Sequence, residues 1–417
     1  LQTNSDSLSL SPAALVNDNG TIASSGTGTL TVNTATLSNN GGTIATNGAL
    51  DVRSGAASNR GGTLAAQTGA TLHVASLDNS SGGYVGAQTV SVSGTGAVNN
   101  AGGTIQADDT LSISAQSVAN DGGSIANGGT GTATVSASGA ITNTTNGLIG
   151  GNGDVSVSGG SIGNAGGTVT AGGAATVQSG STLDNRAGLI QGMDIVSVST
   201  LGAIDNTGGQ IEADGTAATL AVTGASLDNT NGRIANTGSG ATTVSAATVT
   251  NSNTGGVAGA GTIGGNGDLS VNADTLSNTN GAQLVSGHDL TLSIAQLADN
   301  TNATLSATNN VTLNGPNAGV INAGGSIRGN GAITLNAASL DNTSGRIGND
   351  TGSGGSISIN AGTLANQDGA IGSDQNLSVT ANQLTGDGRI IAGNDGAVTV
   401  NGDYTLTGSN QIQANHD

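Results

Sequence analysis

The 417-residue chain has no Cys, Phe, Trp or Lys, and only two Pro and two Tyr. Without Cys no disulfide can staple the fold, which suits a protein exported unfolded as well as one kept in the cytosol. Without Phe and Trp, and with Tyr only at Tyr84 and Tyr404, a thick globular core lacks filling; Leu, Ile, Val and Ala can fill only a core about one side chain deep. Without Lys, and with 7 Arg against 26 acidic residues for a net charge of −19, there is no basic patch to release phosphate counterions or to hold anionic lipid. Nucleic acid is therefore not an expected partner, and neither is a membrane surface. No run of about 18 apolar residues exists to span a bilayer, so membrane insertion is not expected. There is no signal-peptide pattern, and Leu1 opens in mid-pattern, so the chain reads as a segment excised from a longer one.

What the chain has is glycine, 74 of them, with abundant Asn, Ser and Thr. Such a composition suggests disorder, but the regular spacing of Leu, Ile and Val argues against it. Leu183-Asp184-Asn185-Arg186-Ala187-Gly188-Leu189-Ile190 matches Leu227-Asp228-Asn229-Thr230-Asn231-Gly232-Arg233-Ile234, and Leu340-Asp341-Asn342-Thr343-Ser344-Gly345-Arg346-Ile347 matches both. The shared frame is an apolar residue, any residue, Asn, a Gly two or three places later, and an apolar eighth residue. A short alternating run follows, as in Leu50-Asp51-Val52, Leu111-Ser112-Ile113 and Leu377-Ser378-Val379. The frame recurs from Leu15 to Leu384 with a period of about 22 residues. Two units depart from it: one opening at Leu297, where Asp299 takes the Asn place and Asn300 follows, and one opening at Leu384, where Gly386 takes it.

A period near 22 is too short for paired helices, which take about 33 residues, or for propeller blades at about 40. Leucine-rich repeats want a longer Leu frame, and Gly-broken stretches make poor helices. The pattern predicts an all-β fold, a right-handed parallel β-helix of about 18 coils with roughly 22 residues per coil. Alternate residues of each strand turn inward and stack on the next coil, while Ser, Thr and Asp face solvent. Gly-Gly pairs such as Gly41-Gly42, Gly102-Gly103 and Gly122-Gly123 fall at corners, where positive φ is needed. Equivalent residues stack about 4.8 Å apart, so the whole would form a rod roughly 85 Å long.

At that spacing, an inward Asn can bond its amide to the next Asn and to the turn backbone. The expected ladder is Asn39, Asn59, Asn79, Asn100, Asn120, Asn143, Asn164, Asn185, Asn206, Asn229, Asn251, Asn278, Asn322, Asn342 and Asn366. The alternative is that each Asn closes only its own Asx-turn. Residues 1–14 are expected to form a partial edge, 15–403 the repeats, and 404–417 a second edge or the start of another coil. A bulging loop is expected between Val249 and Leu276, around Gly255–Gly261, with smaller excesses after Ile125 and Ile347.

The Leu-Asp-Asn-x-x-Gly-x-Ile frame followed by a Leu-x-Val run resembles the haemagglutinin repeat of large two-partner-secreted exoproteins, the filamentous haemagglutinins and contact-dependent growth inhibition exoproteins of Gram-negative bacteria. The resemblance spans about Leu15 to Ile391. It implies an extracellular filament on the cell surface that leaves through an outer-membrane secretion pore, with receptor recognition or toxicity often lying beyond the repeats. Many units replace the Asp of the triplet by Ser, Thr, Ala or Gly, which leaves open the branch of the family.

Asp184, Asp205 and Asp228 hold the same place in successive units. Stacked outward they would lie about 5 Å apart, either as a weak Ca²⁺ column or, the favoured reading, as solvated carboxylates screened by salt. Gly-Gly-Asn-Gly-Asp at Gly150–Asp154 and Gly264–Asp268 is similar to a calcium nonapeptide with its Asp one place early, and reads as a turn. No cofactor is expected. Catalysis is not expected either, since His73, His288 and His416 are several coils apart and sugar-processing sites need clustered acids with bases or metal. Glycan stacking would need exposed aromatics, ice binding a regular Thr-x-Thr column, and the sequons at Asn79 and Asn143 fall in the inward column. Two functions remain: a structural stalk that presents a distal receptor-binding or toxin region to other cells, or a direct adhesin that meets a target-cell receptor through its face or the loop after Val249.

Overall fold

The computed structural model describes residues 1–402, 404 and 411–416. Among them are 46 strands and no helix, so no helix is long and apolar enough to cross a membrane. The strands pair in parallel, each with its equivalent one repeat away, as when Thr43–Thr46 pairs with Thr63–Ala66 and Ala49–Ser58 with Gly69–Asp78. This is a right-handed parallel β-helix. The chain divides into two compact units, Leu1–Gly202 and Ala203–Asp417, each wound in this way.

One coil of the first unit shows why the sequence winds as it does. After Asn39 the chain turns through Asn40, Gly41 and Gly42 and runs as the strand Thr43–Thr46. It turns again at Asn47-Gly48 and runs as the strand Ala49–Ser58. Midway, Ser54 Oγ donates to the Ala56 carbonyl at 3.0 Å, and the chain then reaches Asn59. In other coils the longer strand divides in two, as at Ala133–Ala137 and Ala140–Thr142. Each coil thus has three sides.

Alternation puts Ile44 inward on the first side, Leu50 and Val52 on the second and Ala57 on the third, all 3% exposed or less. Each stacks on its equivalent, giving in the first unit the column Ile22, Ile44, Leu64, Val85, Ile105 and Ile125. The second unit repeats it with Ile211, Ile234, Ile263, Leu284, Leu305 and Ile327. Burying each such side chain contributes about 2 kcal/mol, so a few aliphatic residues per coil make a core with no aromatic ring.

The repeat averages roughly 21 residues over about 19 turns, in keeping with the spacing of the sequence frame. The chain's first residues wind with the repeats: Gln2–Thr3 pairs with Ala23–Ser24, and Leu8–Leu10 with Leu30–Val32. Much of the expected second edge at 404–417 lies outside the described residues. Within it Tyr404 bridges Leu384, and Gln411–Ala414 pairs with Arg389–Ala392. The register also resets one unit. Ala298, not Leu297, lies beside Leu276 and Val320 and is 2% exposed. Leu297 pairs with Thr275 and Gly319 instead.

Candidate functional site

The corner that follows the third side carries the asparagines. In the first unit Asn17, Asn39, Asn59, Asn79, Asn100, Asn120, Asn143, Asn164 and Asn185 occupy it. Each Nδ2 donates to the next Oδ1 at 2.7 or 2.8 Å. In the second unit Asn206, Asn229, Asn251, Asn278, Asn300, Asn322, Asn342 and Asn366 do the same at 2.7 or 2.8 Å. Asn17 and Asn300 thus stand in the column beside the fifteen expected residues. Asn300 fits because its unit opens at Ala298, which restores the two-residue spacing.

The amide also serves the backbone. Asn59 Nδ2 lies 3.1 Å from the carbonyl of Gly62 in its own turn and 3.1 Å from that of Tyr84 in the next coil. Local closure and the ladder therefore coexist. The turn glycines divide their tasks. Gly41 has φ of 62°, which glycine adopts at no steric cost, and the same place holds Asn19, Asn231 and Asn302 at φ of 54°, 55° and 52°, Asn being the side chain that visits this region most readily. A Cβ on Gly42 would lie 2.0 Å from the Asn17 carbonyl and 2.6 Å from Asn39 Oδ1, so that place is small because the ladder passes against it. The sequon residues Asn79 and Asn143 are 0% and 1% exposed, closed to a glycan.

Where an acid precedes the ladder Asn, it has a local task. Asp184, Asp205 and Asp228 each accept from the backbone N–H two residues on, at 3.1, 3.0 and 2.9 Å, and Asp299 and Asp341 do the same at 2.9 Å. This Asx bond caps the corner. In the first unit Asp184 is also gripped by the Arg186 guanidinium, with bonds of 2.9 and 2.7 Å, which holds its carboxyl below the ordinary value. In the second unit Asp205 and Asp228 are in register.

The corner after the first side follows another rule, which the repeat frame does not mark. At three of the corners lengthened there, an inward Asn secures the turn, whereas the long corner after Ala213 closes through the Ala218 N–H to the Gly215 carbonyl at 3.0 Å. Asn127 Nδ2 donates to the carbonyls of Asp109 and Gly131 at 2.6 and 2.7 Å. Asn236 donates to Ala218 and Gly240 at 2.8 and 3.0 Å, and Asn349 to Gly329 and Gly331 at 2.6 and 2.8 Å. Neighbouring coils have Ala107 and Gly151, or Ala213 and Gly265, at the positions of Asn127 and Asn236. The excess after Ile347 is tied down from the next coil. The Gly352 and Gly354 N–H groups each donate to the Asp374 carboxylate at 2.7 Å, which lowers its pKa.

At the start of the second side, polar residues form a staircase. Asp268 accepts from the Asp289 N–H at 3.2 Å, Asp289 from the Asn310 N–H at 3.1 Å, and Asn310 from the Ala332 N–H at 2.8 Å. The two Gly-Gly-Asn-Gly-Asp segments form matching corners. Asn152 and Asn266 each donate 2.6 Å to a carbonyl one coil back, and Asp154 accepts from the Ala174 N–H at 2.8 Å.

The excess after Val249 is an exposed loop. Residues 254–259 are exposed, with Val257 at 62%, and Asn253 Nδ2 donates to the Val257 carbonyl at 2.9 Å. The loop is spliced in without breaking the column: Asn251 Nδ2 donates to the Gly261 carbonyl at 2.9 Å, the part Gly62 plays for Asn59. Of the histidines, His73 Nδ1 lies 2.8 Å from Ser93 Oγ, His288 Nδ1 2.6 Å from Asp268 Oδ1, and His416 Nδ1 3.1 Å from Asp395 Oδ1.

Coils that repeat one corner and one aliphatic frame define a β-solenoid repeat protein. Comparison with protein families matches the Haemagglutinin repeat at residues 23–83, 85–145, 130–208, 285–352, 351–408 and 377–417, together well over half of the chain. The chain belongs to the haemagglutinin-repeat family, whose β-solenoids are structural or adhesive. No curated protein and no solved structure matches it.

Proposed function

We propose that the chain is a stalk segment of a large secreted surface filament, which presents a distal receptor-binding or toxin region to other cells and does no chemistry itself. The observation that carries this reading is where the polar groups go. The asparagines, the acids before them and the staircase residues bond to neighbouring coils or to their own turns. What remains outward on the strands is mainly Ser and Thr, as at Ser112, Ser156 and Thr176, and protein hot spots instead favour Trp, Tyr and Arg. The family supports an extracellular place on a Gram-negative cell surface, reached through the outer-membrane pore of a two-partner system.

The exposed loop at 254–259 favours a second reading, a direct adhesin that meets a target-cell receptor there. Labelled protein applied to candidate bacterial and host cells separates the two. The stalk reading expects no saturable binding above an inert β-helix of similar charge. Saturable binding that disappears when the loop is shortened would replace it with the adhesin.

A further inference from the structure

We propose that Asp268, His288 and Asp289 in the second unit form a binding site for a divalent transition metal of the zinc class. The three offer ligand atoms that all lie within 4.8 Å of one another. His288 Nδ1 is 2.6 Å from Asp268 Oδ1 and 3.8 Å from Asp289 Oδ2.

The fold builds this cluster. Leu269 pairs with Leu290, which puts Asp268 and Asp289, the residues just before them, one coil apart on the same column. Two carboxylates at that spacing repel, and a cation between them relieves the repulsion. The residues that hold the ligands are in place. Asp268 Oδ1 accepts from the Asp289 N–H, and Asp289 Oδ1 accepts from the N–H and Nδ2 of Asn310 at 3.1 and 3.0 Å. Such outer bonds orient ligating carboxylates. Ser286, 1% exposed, pins the turn that carries His288. Its Oγ lies 2.8 Å from both the Gly267 and Asp289 carbonyls and accepts the His288 N–H at 3.2 Å.

The ligand set selects the ion. One imidazole nitrogen with two carboxylates suits zinc and its neighbours, whereas calcium prefers six or more oxygens. Water completes the coordination from the exposed side. The same unit repeats the pairing at Asp395 and His416, 3.1 Å apart. The dipeptide His288-Asp289 likewise recurs as His416-Asp417, with Asp417 outside the described residues. Two of the three histidines in the chain are thus set against an Asp one coil back.

The test is calorimetric titration of the untagged 417-residue protein with Zn²⁺, and separately with Ca²⁺. Melting curves without metal establish that the variants fold. Saturable Zn²⁺ binding is expected. It should weaken at least about tenfold in His288→Ala and in the near-isosteric Asp289→Asn, persist in Asp395→Asn, and shift the His288 imidazole resonances. Absence of saturable Zn²⁺ binding overturns the site. So does unchanged affinity in His288→Ala, or Ca²⁺ binding as tight as that of Zn²⁺.

Discussion

The corner that carries the asparagine ladder and the corner after the first side solve one problem in two ways. Both must turn the chain without leaving buried amides and carbonyls unpaired. The ladder corner closes between coils: Asn59 accepts from Asn39 and donates to Asn79, so each residue needs the same residue above and below. The other corner closes in a coil-specific way. Asn127 donates to the carbonyl of Gly131 in its own longer turn and to that of Asp109 in the coil before, while the flanking coils manage with Ala107 and Gly151. A bond between matching side chains imposes uniformity, and a bond from a side chain to backbone carbonyls, which every residue carries, permits variation. Even the loop after Val249 obeys this, because it enters between Asn251 and Gly261 and leaves the column whole.

The largest expected effect is at the ladder. Asn59 is 0% exposed, and Asn59→Ala removes its bonds to Asn79, Gly62 and Tyr84, takes the Asn59 amide donor away from the buried Asn79 Oδ1, and leaves the Asn39 amide only its backbone acceptors. We expect a loss of roughly 3 kcal/mol, read as faster hydrogen exchange in the coils on both sides and little change several coils away. Asn127→Ala sharpens the contrast. It should cost about 1 kcal/mol, with faster exchange confined to residues 108–132; equal spread in both variants would erase the distinction.

A smaller effect belongs to Asp374. Its carboxyl is lowered from 3.8 by the Gly352 and Gly354 N–H groups. A carboxyl lower in the folded than in the unfolded chain stabilises above the unfolded value and loses that contribution as pH falls through the folded one. Amide exchange of Gly352 and Gly354 should therefore show pairing with the carboxylate at neutral pH that fades in acid below 3.8. Asp374→Asn should weaken it at neutral pH and remove its dependence on pH. By the same kind of contact, His288, raised by its bond to Asp268, should titrate above 6.5 by NMR and fall back in Asp268→Asn. The smallest change is expected when residues 253–260 are replaced by an ordinary short turn that keeps Asn251 and Gly261. Melting should shift by no more than a surface change does, about 0.5 kcal/mol.

The repeat made the winding and the aliphatic columns legible, because a frame repeated so often states its own register. The same frame misleads at Leu297. A large apolar residue there looks like the start of a unit, yet the register buries its small neighbour Ala298. Only the pairing of strands exposes that, and it brings Asn300 into the column. Asn127, Asn236 and Asn349 were not legible. Each stands in a polar, Gly-rich stretch and looks like loop until the coil's closure turns it inward. The staircase of Asp268, Asp289 and Asn310 was hidden for a related reason. Its members are about one coil apart in sequence but differ in type, so no column of identical letters marks them. The cluster of His288 with two acids depends on that staircase and could not be read without it.

The central claim is that the asparagine amides are locked between coils. Side-chain amide exchange, followed by NMR on the whole chain, tests it most directly. The Nδ2 protons of Asn59, Asn120 and Asn322 should exchange as slowly as the backbone amides of the strands beside them, while those of the exposed Asn47 exchange at once. Ladder amides that exchange as fast as Asn47 would contradict the account.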